Sequence, residues 1–511
     1  MAKGKISSVW VALLGVVIGV LVTLTVTEIR DRNAQLKSKY QSWGKLNLVL
    51  RTIEENYVDS VDFEKASDAA AEAALRALDP HSVYMPPVEL ETSTEDLSGN
   101  FDGIGIQFNV PNDTAIVLEV IPGGPSEKIG LMQGDRILKV DSTDIAGVSF
   151  PQDSIVRRIK GPAGSKVLIT VKRGNETIPF EITRGKIPNR SLAAGFMVND
   201  TTAYVKVSRF TATTASEFLQ SSIDLVQRGM KRMIVDLRDN SGGYMEPALN
   251  MSNMFLSKGD TIVYLMGRNI QKEVYKANGD GHLQDVALTV IIDDGTASAS
   301  EIFSGAVQDN GRGVLVGRRS FGKGLVQQPF NFTDGSGIRL TIARYYTPSG
   351  RCIQKPYTED YDYETYKRYN TGEMVCADSM KLAEGGIIPD VFVPLDTTRV
   401  TPFYISCNRK STTVRFASAF FDSHREELAS IDDYDALLKY LDGASLDRAF
   451  LSFALKEDAL SPAAGEWDKC KSYMMAQVRA LVGRYSKLGD NAFYHLYLAI
   501  DEVYAAALTA Q

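Results

Sequence analysis

The chain has 511 residues, 44% hydrophobic and 23% charged, with a net charge of -7. That length exceeds one ordinary core, so several domains are expected, and the composition is that of a globular protein. A mixed-sign, net negative surface excludes nucleic acid as the main partner, because phosphate binding needs dense positive charge.

Lys3 and Lys5 precede an uncharged apolar run at 7–26. At about 1.5 Å per residue it is long enough to cross a ~30 Å hydrocarbon core. No clear small-residue cleavage pattern closes it. Residues 1–27 therefore read as an uncleaved signal anchor, with a cleaved signal peptide as the other reading. The expected protein is a single-pass protein of the inner membrane with its bulk on the exported, periplasmic side. Disulfides are permitted there, and of the cysteines at 352, 376, 407 and 470, Cys352 and Cys376 are the expected pair. No CxxC or HExxH spacing occurs, so no metal or other cofactor is expected.

Residues 28–99 read as a helical region. Leu46, Val49, Leu50, Ile53 and Tyr57 recur at helical spacing, and the alanine-rich run from Ala66 to Leu78 favours helix until DPHSVYMPP breaks it. From 100 to 187 short β-type runs alternate with turns and two short helices. Within them FDGIGIQF, followed by GLMQGDRILKVD, resembles a PDZ domain of the bacterial protease-associated kind. The resemblance implies that a peptide C-terminus adds to a sheet edge, its carboxylate held by N–H groups of Gly103, Ile104, Gly105 and Ile106. Glycine suits such a loop because it lets backbone approach an anion closely.

Residues 188–400 alternate strand and helix, the pattern of an α/β layered core. Strands are expected at AYVKVSRF, RMIVDLR, TIVYLM and ALTVIID, and helices at 214–228, 245–256 and 298–308. Later β-rich runs add an antiparallel piece. Residues 401–511 read as amphipathic helices without a catalytic motif, a docking or homo-oligomerising appendage.

Chemistry concentrates between Asp294 and Gln328. Ser298 lies in a small-residue run at a strand-to-helix junction, and Lys323 lies in a glycine-flanked apolar loop. Gly317–Lys323 matches most of a phosphate-binding loop, but Gly324 stands where Ser or Thr must hold magnesium, and a β-like run follows. A free lysine with a pKa near 10.4 is neutral in only about one molecule in 2500 at pH 7. Burial beside Phe321, Leu325 and Val326 would lower that value and let the amine take the Ser298 proton. Gln327 could aim the lysine if a helical turn spans 322–328, because four extended residues would separate the two by about 13 Å. Oxyanion donors are expected at the N–H of Ala299, opening a helix, and at Gly242 or Gly243 in DLRDNSGGY. Ser300 points away from Ser298 on a helix. His282 reads as a surface-loop residue, with a triad base as the sharper alternative; the serine lacks a G-x-S-x-G elbow.

Together ALDPHSVYMPP, VDLRDNSGG, TASASEIFSGAVQDNGR, SFGKGLVQ, YYTPSGRCIQ and GGIIPDVFV resemble the carboxy-terminal processing, or tail-specific, protease family. The resemblance implies a serine endopeptidase with Ser298 as nucleophile, Lys323 as base, Gln327 orienting the lysine, and an oxyanion hole at Ala299 with Gly242 or Gly243. Its substrates would be exported proteins cut near their C-termini through an acyl-enzyme. The insertion at 357–378 and the residues after Thr401 have no counterpart in the shared motifs. Two alternatives stand beside this reading: a PDZ scaffold with an inactive protease domain, and a histidine-based serine hydrolase.

Overall fold

Asn100–Gly103 pairs antiparallel with Gly185–Pro188, so the chain enters and leaves the PDZ module side by side. The computed structural model describes residues 44–110, 113–121, 123–357 and 363–510, together with Thr27. Between those two ends run β1 (Ile106–Asn109), β2 (Ala115–Val120), β3 (Arg136–Val140), α1 (Gln152–Ile159), β4 (Lys166–Arg173) and β5 (Glu176–Thr183). They form an antiparallel sheet in the order β1-β2-β3-β4-β5. Alternate positions Val167, Ile169 and Val171 of β4 pack with Ile155 and Ile159 of α1. The free side of β1 is an open sheet edge.

The α/β core is a six-stranded sheet. Its strands are β6 (Leu192–Met197), β7 (Thr202–Val207), β8 (Arg232–Asp236), β9 (Ala287–Ile292) and β10 (Val314–Gly317), with Val391–Phe392 at the edge. Only the β6–β7 pair is antiparallel. Every residue of β7 is buried, as a strand covered on both faces requires. The two-residue period divides the side chains cleanly. Val205, Val207, Met233, Val235, Val290 and Ile292 face α2 (Thr214–Gln227), α3 (Met245–Asn253) and α4 (Ala299–Asp309). Tyr204, Ile234, Ile291 and Val316 face the opposite way, onto Leu498, Val503, Tyr504 and Ala507 of the C-terminal region.

A second, antiparallel sheet joins Val83–Met85, β11 (Leu325–Asn331) and β12 (Gly337–Tyr346) to Thr261–Met266 and Glu273–Lys276. It carries the DPHSVYM segment to the strand that follows Lys323. The C-terminal helices form their own core around Phe416, Phe450, Cys470 and Met474. They end in α5 (Gly489–Leu498) and α6 (Glu502–Thr509), separated by a break at 499–501.

The chain divides into two units at Ala74/Leu75, the first holding the helix at 44–56 and most of Phe63–Arg76. The expected signal anchor, with its apolar run at 7–26, lies outside the described residues. Among the described residues no helix is long and apolar enough to cross a membrane. All four cysteines are free, and the expected Cys352–Cys376 bond is absent. Cys352 is held in a bridge to Tyr346, whereas Cys376 begins a separate short helix, Ala377–Lys381.

Candidate active site

Strand β9 ends at Ile292, and six residues later the chain turns into α4 through Ser298, whose φ of 56° and ψ of -115° are unusual for a residue with a side chain. Such a conformation costs about 1–3 kcal/mol and persists only where neighbours enforce it. Asp293 provides that enforcement: its Oδ1 accepts from Gly295 N (3.0 Å), Thr296 Oγ1 (3.1 Å) and, across the sheet, Asp239 N (3.0 Å). Asn240 O accepts from Ala297 N at 2.9 Å and Ser300 Oγ at 3.0 Å, so the loop after β8 and the turn before α4 are stitched together. Ser300 is thereby committed to structure, leaving half-buried Ser298 as the accessible hydroxyl.

Glu301 ties Ser298 to Lys323. Fully buried, its carboxylate accepts from Ser298 N (2.8 Å) and Lys323 N (2.9 Å) on Oε2, and from Gly322 N (2.7 Å) and Ser320 Oγ (2.5 Å) on Oε1. Burial pushes its pKa up, while these donors oppose the shift. Tyr345 OH provides a second tie, 2.9 Å from Ser298 O and 2.5 Å from Lys323 O. The two backbones are therefore joined through two shared side chains.

The Lys323 amine is half-buried, and burial together with the nearby charge of Arg339 lowers its pKa to about 8, against the opposing pull of Glu301 and Asp79. Its Nζ donates to Gln327 Oε1 at 2.9 Å. Gln327 Nε2 in turn donates to His81 O at 2.5 Å. Because only the NH2 end can donate to a carbonyl, that bond turns the amide oxygen toward the lysine. The expected helical turn over 322–328 is absent: Leu325–Asn331 is extended, with a register shift between Val326 and Gln327. Lys323 precedes the strand and the register shift lies between it and Gln327, so the two long side chains meet without a helical turn. Among the described residues no hydrogen bond links Lys323 Nζ to Ser298 Oγ. Catalytic hydrogen bonds of this type commonly tighten only when substrate binds.

Of the expected oxyanion donors, the Ala299 N–H opens α4 and has no acceptor among the described residues. Of the alternatives Gly242 and Gly243, the Gly242 N–H donates within its own turn, to Asn240 Oδ1 at 2.9 Å. Gly243 N–H has no such acceptor. Both glycines are sterically required: a methyl on Gly242 would lie 2.7 Å from Ser298 Cβ, and one on Gly243 would lie 2.0 Å from Phe210 O.

The 357–378 insertion holds the lysine loop from behind. Arg368 donates to the carbonyls of Arg319 (3.1 Å), Ser320 (2.9 Å) and Phe321 (3.0 Å), and Arg319 forms a two-pronged pair with Glu373. These contacts had no signal in the sequence. Glu301 did have one, because Ser298 and Glu301 stand at the S-x-x-E spacing of a helix capping box. His282 bonds Ser222 Oγ at 2.8 Å on α2, which accounts for it structurally.

In the PDZ module, Ile121 N donates to Gly105 O (3.0 Å), and Ser126 donates to Ile104 O through its amide (3.0 Å) and hydroxyl (2.7 Å). These bonds tie the loop's carbonyls inward at the end of the open β1 edge.

Two family models match the chain: the PDZ domain over residues 103–183 and peptidase family S41 over residues 201–363. A probable CtpA-like serine protease of Staphylococcus haemolyticus is 31% identical over 346 residues, covering 67% of this chain and 69% of that protein. The carboxy-terminal processing protease CtpA of Bacillus subtilis is 32% identical over 360 residues, covering 69% of this chain and 76% of that protein. Among solved structures, the photosystem II D1 C-terminal processing protease is 27% identical, with a TM-score of 0.38 over 69% of this chain and 87% of that one.

Proposed function

The chain belongs to the carboxy-terminal processing proteases of peptidase family S41, and from that premise we propose that it is a serine endopeptidase working through Ser298 and Lys323. One observation carries the reading: Ser298 and Lys323 are bound to the same buried Glu301 carboxylate, and the lysine's amine is lowered to about 8. Neutral Lys323 Nζ accepts the Ser298 proton as Oγ attacks a peptide carbonyl. The oxyanion of the tetrahedral intermediate is met by the Ala299 and Gly243 N–H groups, worth about 10²–10³ in rate for each donor. On collapse the lysine passes its proton to the leaving amine, and water then hydrolyses the acyl-Ser298 ester by the same route in reverse.

The PDZ module supplies selection. A substrate's C-terminal residues extend along the β1 edge, with the carboxylate on the amides of the Gly103–Ile106 loop, and cleavage follows upstream at Ser298. The apolar run at 7–26 supports a membrane-anchored, exported placement, with peptide ends as partners.

The test uses the full chain and an unfolded protein substrate with a free or amidated C-terminus. The free-ended substrate should be cut and the amidated one cut far more slowly, and Ser298→Ala should cut neither while retaining the free-ended substrate. Equal cutting by Ser298→Ala would refute the mechanism. Equal cutting of both substrates would refute the role given to the PDZ loop.

A further inference from the structure

Read from sequence, the residues after Thr401 are an appendage without chemistry. Their last helix, α6, instead lies along the outer face of the protease sheet and is clamped at its end to Arg232 of β8 and at its start to Arg238, two residues past that strand. At its start, Asp501 accepts from Tyr504 N on Oδ1 (2.9 Å) and from Arg238 Nη1 on Oδ2 (2.5 Å). At its end, the Arg232 guanidinium donates to the carbonyls of Leu508 (2.6 Å), Ala507 (2.6 Å) and Ala510 (2.5 Å), groups that a helix C-terminus leaves unpaired. Between the clamps Val503, Tyr504 and Ala507 pack on Ile234, Ile291 and Val316.

Strand β8 runs directly into the loop that carries Asn240, Gly242 and Gly243. We propose that α6 is a strap that sets the position of this loop, making Asp501 and Arg238 positioning residues for the oxyanion hole. The proposal rests on the reading of Ser298 and Lys323 as the catalytic pair.

Arg238 lies two residues before Asn240, whose carbonyl accepts from Ala297 N and Ser300 Oγ beside Ser298 and whose side-chain oxygen accepts from Gly242 N. On its inner side Arg238 is fixed by Asp236, through Nε (3.0 Å) and Nη2 (2.6 Å). Asp236 also accepts from Lys206 Nζ (3.2 Å) and Tyr204 OH (2.8 Å), and Lys206 reaches the Arg238 carbonyl. Burial alone would raise the Asp236 pKa, but Arg238 and Lys206 hold it well below the usual range, so this inner partner stays charged. On the outer side Asp501 is Arg238's carboxylate. The remaining space there is a cleft of about 590 Å³ bordered by Lys206, Asp293, Tyr494 and Asp501. With no side chain packed into that space, loss of Asp501 leaves Arg238 room to swing and its loop less constrained.

The experiment compares the full chain with Asp501→Asn and Asp501→Glu. Hydrogen exchange is read in peptides covering 239–244 and 287–292, and kcat and KM are read on a short peptide substrate. Asp501→Asn should speed exchange at 239–244 about tenfold, leave 287–292 unchanged, and lower kcat about 10- to 100-fold with little change in KM, the scale of a small misplacement at a catalytic site. Asp501→Glu should recover part of both effects. Unchanged exchange at 239–244 would overturn the strap, and so would faster exchange spread equally over both segments, which signals general destabilisation. A parent chain that turns over no peptide would refute the catalytic reading instead, and the exchange result would still decide the strap.

Discussion

Lys323 is the residue on which the chemistry turns, and its environment fixes two measurable consequences. The folded-state pKa of about 8 lies below the 10.5 of an unperturbed lysine. Activity that needs the neutral amine should therefore rise about tenfold per pH unit below 8 and level off above it. The unfolded chain binds the additional proton between 8 and 10.5, so stability rises with pH across that window and the lysine's full cost is present below 8. Lys323→Met should abolish turnover yet raise stability at pH 6, by up to roughly 3 kcal/mol, measurable as an increased denaturant midpoint. Glu301→Gln replaces one of two acceptor oxygens with a donor that would face N–H or O–H groups. It should cost about 1–3 kcal/mol in a denaturant melt and remove most activity even where the protein folds. Ser298, Lys323 and Gln327 were legible from residue type and spacing. Tyr345 and Arg368 were not, since they act on backbone carbonyls that are distant in sequence.

At the scale of elements, the strand-helix alternation read in the sequence became β7, β8 and β9 with α2 to α4, whereas the expected TIVYLM strand joined the antiparallel sheet instead. The lysine segment is extended where a helical turn was expected, because the long side chains of Lys323 and Gln327 reach each other without one. Helix α4 is joined to its neighbouring helices by a run of rings, Phe218 of α2 to Phe255 at 5.9 Å and Phe255 to Phe303 at 5.8 Å, all fully buried. Phe303→Ala should cost about 3–5 kcal/mol in a melt, with activity lost in proportion to unfolding, since α4 carries both Ala299 and Glu301. The PDZ loop has its own test. A side chain at Gly105, where φ is 77°, is strained and would come within 3.2 Å of Ile187. Gly105→Val should raise KM for a substrate with a free C-terminus at least tenfold and leave a short peptide lacking the PDZ-binding end unaffected.

For the whole molecule, the PDZ module and protease core were readable as separate textures of sequence, whereas the service the C-terminal region gives the core was hidden. Half of the sheet's side chains, Tyr204, Ile234, Ile291 and Val316 among them, required a cover, and nothing in their own stretch of sequence named residues about 200 to 300 positions away. Arg425 of that region also donates to the carbonyl of Gln133 in the PDZ module, and Asp422 lies 3.7 Å from Arg136, so different helices of the C-terminal region touch both working parts. All of these supports converge on one serine and one lysine. The most direct measurement is the rate at which a small fluorophosphonate labels the full chain from pH 6 to pH 10, with the site of attachment located by mass spectrometry. The account predicts a single label on Ser298, forming at a rate that rises through a pKa near 8 and collapses in Lys323→Ala. A label on another residue, or a Ser298 rate indifferent both to pH and to the loss of Lys323, would contradict it.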